Sequence, residues 1–140
     1  NIALILFCLM AVSFQAVAQS NREARVAYVL QNLGIDRAHQ KALRPVLNKY
    51  LAEKKQASAD YDEQKDRWKE LIKKGKLTDA QANKLLQMKW EAEQKELNLK
   101  KQYTTRFGKV LPAAKVWYCF DLVNDKKSKI RGEEKNDDDE

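Results

Sequence analysis

Polar and apolar positions divide this chain at residue 22. Before it there is no charged side chain: Ile2 to Val12 form an almost unbroken apolar run, and Ala16-Val17-Ala18 close the segment. Beyond it, apolar residues return three and four positions apart, the period of an amphipathic helix. Val26, Val29, Leu30 and Leu33 predict a first short helix, with Ser20-Asn21-Arg22-Glu23 before them at capping-box spacing. Gly34 is placed to stop that helix at its C′ position, and Asp36 to cap the next. The second helix is expected from Arg37 to Lys74, carrying Val46, Leu47, Tyr50, Leu51, Ala57, Tyr61, Trp68, Leu71 and Ile72. Pro45 within it lacks an N–H and predicts a kink near Ala42 to Arg44. After Gly75, Thr78 and Gln81 again have capping-box spacing. They open a third helix with Leu85, Leu86, Met88, Ala92, Leu97, Tyr103, Phe107, Val110 and Leu111 on its stripe. Pro112 interrupts it, and a last helix from Ala113 to Ile130 presents Val116, Trp117, Phe120 and Val123.

Helical periodicity at nearly every position, with only four Gly and two Pro, predicts an all-α fold. Val46 to Lys74 alone would span roughly 43 Å at 1.5 Å per residue. A compact domain of this size has a radius of gyration of about 14 Å. The expectation is therefore an elongated long-helix hairpin with short flanking helices. Its thin core leaves an apolar face to be completed by an antiparallel homodimer.

The uncharged opening segment changes where the protein is expected to work. An apolar run followed by small-x-small at Ala16 to Ala18 predicts a secretory signal peptide over 1–18, cleaved between Ala18 and Gln19. Ser13, Gln15 and Gln19 interrupt the run before the roughly 20 apolar residues that a membrane span needs. Cys8 sits mid-run rather than at a lipoprotein site. An exported helical domain over 19–132 follows, without stable membrane insertion. Net charge is +7 overall, yet residues 133–140 hold six acidic side chains and one lysine, net −5, leaving +12 on the rest. Such a block predicts a disordered acidic tail, which is expected to fold back over the basic body as a weak electrostatic cover. Export argues against nucleic acid as the target of the basic body. Cys119 is the one cysteine beyond the leader, so no internal disulfide can form, and Val116, Trp117, Tyr118 and Phe120 around it favour burial over an intermolecular bond.

Chemistry-bearing patterns are few. There is one histidine, His39, no Gly-rich phosphate loop and no Gly-x-Ser-x-Gly turn, so neither catalysis nor a cofactor is expected. A lone His39 is likewise a poor start for a metal site. What remains is a basic helical surface with interspersed aromatics, suited to contact with polypeptide. Its candidate residues are Lys54, Lys55, Tyr61, Lys65, Arg67, Trp68, Lys69 and Trp90. The competing reading puts Trp68 and Trp90 in the core.

Leu77-Thr78-Asp79-Ala80-Gln81 resembles the LTxxQ signature of the Spy/CpxP periplasmic family. A second copy at Ile35-Asp36 departs from it, with Asp36 in place of Thr and His39 in place of Gln. The stretch from Tyr103 through Lys109-Val110-Leu111-Pro112 to Val116 resembles a segment common in relatives linked to extracytoplasmic sigma-factor systems. The resemblance covers most of the chain after the leader. It implies a cradle-shaped antiparallel dimer in the periplasm, acting as an ATP-independent chaperone for unfolded proteins. Its alternatives are an inhibitor or sensor that binds a stress-sensing kinase or anti-sigma protein, or a metal-responsive sensor.

Overall fold

The computed structural model describes residues 19–125. The proposed leader with Ala18, and the acidic stretch 133–140, lie outside the described residues. Among the described residues there are five helices and no strand: α1 over 19–32, α2 Arg37–Arg67, α3 Lys69–Lys73, α4 Asp79–Gly108 and α5 Ala113–Asn124. The protein is all-α.

Local chemistry sets the joints. α1 stops at Gly34, whose φ of 66° is open to glycine at little cost, and Gly75 (φ 62°) ends α3 in the same way. Lys115 Nζ donates to Leu33 O at 2.8 Å, placing a cation on the negative end of the α1 dipole. Asp36 Oδ1 accepts the His39 N–H at 2.8 Å and so caps α2. Thr78 and Gln81 close a reciprocal box at the start of α4: Thr78 N donates to Gln81 Oε1 at 3.0 Å, and Gln81 N to Thr78 Oγ1 at 3.2 Å.

Four boundaries differ from those read in the sequence. Residues 19 and 20 are already helical, so Ser20 cannot be the N-cap of α1, which requires non-helical backbone. Gln19, on the far side of the proposed cut, is the first described residue. The helix expected over 37–74 is broken at Trp68 (φ −103°, ψ 14°), dividing α2 from α3. Its backbone bonds continue across the break, Trp68 N to Gln64 O at 3.2 Å and Ile72 N to Trp68 O at 2.9 Å, and α3 buries no side chain, so the unwinding costs no packing. Runs of Lys, Glu and Gln at high helix propensity hid this one-residue break. α4 ends at Gly108, leaving Val110 and Leu111 in a turn before Pro112, which disfavours helical backbone in the residue ahead of it. α5 stops at Asn124 rather than Ile130. There Asp125 turns extended (φ −60°, ψ 134°), and its carboxylate accepts the Tyr28 hydroxyl at 3.0 Å.

The chain forms two compact units. In the first, which among the described residues takes 19–48 and 107–125, α1, the start of α2 and α5 enclose a continuous core. Val26, Val29, Leu30, Leu33, Leu43, Leu47, Phe107 and Leu111 are buried there with Val116, Cys119 and Val123. Phe107 packs on Phe120 at 5.4 Å between ring centroids, and Arg25 Nη2 donates to Val123 O at 3.1 Å. Trp117 was read as part of the buried stripe of α5. The structure exposes it and gives the inward position to Cys119, because Val116, Cys119 and Val123 keep the i, i+3, i+7 spacing.

The second unit, Lys49–Arg106, is made from α3 and the remaining lengths of α2 and α4. Its buried side chains are few: Tyr50, Leu51, Ala92 and Tyr103. Tyr50 and Tyr103 meet at 5.1 Å, and the Tyr103 hydroxyl donates to Glu53 Oε2 at 2.8 Å. Ala57, Tyr61, Trp68 and Leu71 are only half-buried, and Ile72 is exposed. The apolar stripe of α2 is thus thinly covered toward its C-terminal end.

Candidate functional site

Within the second unit, α4 carries two apolar stripes. Leu85, Met88, Ala92, Leu99 and Tyr103 follow i, i+3, i+7 spacing and are half-buried or buried. Leu86, Trp90 and Leu97 share a different face, since steps of four and seven residues both return a side chain to nearly the same angle on a 3.6-residue helix. They are 43%, 61% and 44% exposed. Covering one stripe leaves the other in solvent. Three large apolar side chains aligned over three turns are more than the scattered exposure usual on a protein surface.

Trp90 is therefore not a core residue. It stands on this second stripe with Leu86 and Leu97, both of which the sequence pattern had assigned to the covered side. Reading 85/88/92/99/103 and 86/90/97 as separate registers would have parted them. Trp68 occupies the break between α2 and α3, half-buried. Tyr61 is half-buried with Lys65 Nζ 4.5 Å above its ring, a cation–π contact. Lys65 also lies 3.2 Å from Asp62, and Arg67 donates to Glu63 at 2.6 Å. These acids offset the positive charge of α2 locally, whereas Lys55 and Lys69 are exposed and Lys54 half-buried. Of the eight candidates, the structure brings Tyr61 and Lys65 together. The others are spread along α2 and α3, with Trp90 on α4.

The motif residues are helix starts in both copies. Ile35 is half-buried and its carbonyl accepts Gln40 Nε2 at 3.1 Å. His39 Nδ1 lies 2.7 Å from Asp36 Oδ1. The Asp36 carboxyl is held below its ordinary value, first by the His39 backbone N–H and then by the imidazole. His39 also lines an open groove of about 290 Å³ with Ala38, Ala42, Lys109 and Val110. Leu77 is half-buried beside the Thr78–Gln81 box.

Two features of the site region escaped sequence reading. Tyr103 is fully buried, and its hydroxyl both donates to Glu53 and accepts Arg106 Nη1 at 3.1 Å. In the first unit, Trp117 and Tyr118 form an edge-to-face pair at 5.2 Å while 63% and 52% exposed. Cys119 beside them is fully buried, and desolvation pushes its thiol up to about 12. Among the described residues no three His, Cys, Asp or Glu side chains gather as a metal site, and no helix is long and apolar enough to cross a membrane.

Fold and surface together define an all-α protein with an uncovered apolar stripe on α4. No protein-family model matches the chain, and no curated protein or solved structure shows significant similarity to it.

Proposed function

We propose that this is an exported, periplasmic Spy/CpxP-like protein that binds unfolded or partner polypeptides without ATP, through a basic and partly apolar helical surface. In this reading α2 and α4 form a long hairpin, and two copies pair as an antiparallel dimer. The observation that carries the proposal is the exposed Leu86, Trp90 and Leu97 stripe. An apolar stripe without a deep pocket suits clients of no fixed shape, because Trp offers a large contact area at the cost of ordering only two torsions. The excess of Lys and Arg over acidic side chains in this chain adds long-range attraction for acidic segments. The test is suppression of aggregation by residues 19–140, at stoichiometric amounts and without ATP, for several chemically unrelated unfolded proteins. Trp90→Ser with Leu86→Ser should abolish protection without lowering the melting temperature. Protection of none of the clients by the unaltered protein would sink the reading.

A sensor or anti-sigma partner is favoured by one distinct observation, the Trp117 and Tyr118 pair. A rigid, preformed aromatic contact is typical of a hot spot for a single folded partner. Loss of one specific pull-down partner on Trp117→Ser, with aggregation suppression intact, would favour that role.

A further inference from the structure

The second unit holds an open groove of about 340 Å³ whose walls are Glu53, Gln56 and Ala57 of α2 and Lys95, Asn98, Leu99 and Gln102 of α4. Its lining has an unusual composition. Three primary amides, one carboxylate and one ammonium surround the two apolar side chains, Ala57 and Leu99. An amide offers donors and an acceptor together, as does each peptide unit of a polypeptide main chain. Several of these groups are already oriented. Asn98 Oδ1 accepts Gln94 Nε2 at 3.1 Å, so Nδ2 is the donor it presents. Glu53 Oε2 accepts the buried Tyr103 hydroxyl at 2.8 Å, which fixes the carboxylate and leaves Oε1 as an acceptor.

Spacing points the same way. Asn98 and Gln102 are four residues apart on one helix, about 6 Å along its axis. An extended chain repeats the groups on one side every two residues, about 6.7 Å. The difference is within the reach of the longer Gln102 side chain. Alternative ligands fit less well. An apolar molecule would cover three amides without bonding them, at the cost of unpaired polar groups. A polyanion would meet Glu53 as well as Lys95. The volume lies at the low end for ligand sites, which span about 300–1,000 Å³, and so suits a few residues of chain.

We propose that this groove binds a short extended stretch of polypeptide by its main chain, with Gln56, Asn98 and Gln102 bonding peptide groups and Ala57 and Leu99 bearing on the Cα edge. It rests on the polypeptide-binding reading above and adds a second element to it. The exposed stripe of α4 takes apolar side chains, whereas the groove accepts backbone of any sequence.

The test is a titration of the ¹⁵N-labelled protein with acetyl-Gly-Ala-Gly-Ala-Gly-Ala-amide, followed by nuclear magnetic resonance. This peptide has no side chain larger than a methyl group for the α4 stripe to hold. The side-chain amide signals of Gln56, Asn98 and Gln102 are expected to shift and saturate together. The peptide N-methylated at alternate residues should bind at least tenfold more weakly, and Ala57→Leu, which narrows the groove beside Leu99, should weaken binding severalfold. Gln102→Leu, at an exposed position, should weaken binding severalfold in a protein of unchanged helicity, so the proposal stays testable if Ala57→Leu does not fold. Absent shifts, shifts confined to other residues, or equal binding of the methylated peptide would overturn it. The two readings fail separately. Aggregation suppression without shifts in the groove refutes this inference alone, and shifts in the groove without suppression refute the proposed function alone.

Discussion

Replacing Tyr103 by Phe tests the polar network at the heart of the second unit, because it removes one oxygen and leaves the ring. Tyr103 is fully buried, so Phe retains the 5.1 Å contact with Tyr50 and the Arg106 guanidinium 4.8 Å from the ring centroid. What is lost is a bond to a carboxylate and a bond from a guanidinium. Hydrogen bonds to charged groups are worth about 1.5–3 kcal/mol. Glu53 is half-buried and Arg106 exposed, so water can replace part of each bond, and the expected cost at pH 7 is about 1–2 kcal/mol. The same bond predicts how that cost changes with pH. Burial first, and then the bond to Glu53 and its charge, push the Tyr103 hydroxyl up to about 12 from an ordinary 10. Between these values the unfolded chain has released the proton and the native state still holds it. The unfolded state therefore binds fewer protons, and stability falls as pH rises, by about 1.4 kcal/mol per unit. Below pH 10 this contribution is fully present. Phe cannot titrate, so the gap between the two proteins should narrow above pH 10 and close near pH 11. Urea unfolding of both at pH 7, 9, 10 and 11 measures it, and lysine titration common to both cancels in the difference. A gap of constant size across that range would refute the reasoning, as would a cost near zero at pH 7.

Two further outcomes follow from the first unit and one from the second. Cys119, fully buried with its thiol pushed up to about 12 from 9, should resist a maleimide at pH 8 in the native protein and react stoichiometrically in urea; rapid native labelling would show that the α5 core opens. Gly34→Ala should cost about 1–2 kcal/mol in urea unfolding, because φ of 66° disfavours a Cβ, and Lys115 Nζ, 3.1 Å from that Cβ, must give slightly and lengthen its bond to Leu33 O. Gly75→Ala shares the backbone penalty but meets open space, so about 1 kcal/mol is expected, and equal losses at the two sites would remove the role given to Lys115.

Helix existence was legible because it rests on local features. Asp36 and Thr78 cap through side chains three residues from their partners, and Gly34 and Gly75 stop helices by their own φ. The all-α fold follows from such features without knowing what packs on what. Burial is a different matter, since it depends on which face a neighbour covers. Leu85 and Leu86 are adjacent and chemically alike, yet one is half-buried and the other 43% exposed. Likewise Val116 and Trp117 are adjacent and both apolar on α5, yet Val116 is buried and Trp117 is 63% exposed. Where helical apolar residues outnumber the positions a thin core can hold, period alone cannot choose among them. The surplus is then the informative part. Leu86, Trp90 and Leu97 stand in water on one face of α4, 43%, 61% and 44% exposed. Tyr103 makes the complementary point. A periodic count registers it as one more apolar position, whereas its hydroxyl bridges Glu53 and Arg106. That bridge fixes a carboxylate in the wall of the groove, so a residue counted as core also orients the surface that we assign to polypeptide binding.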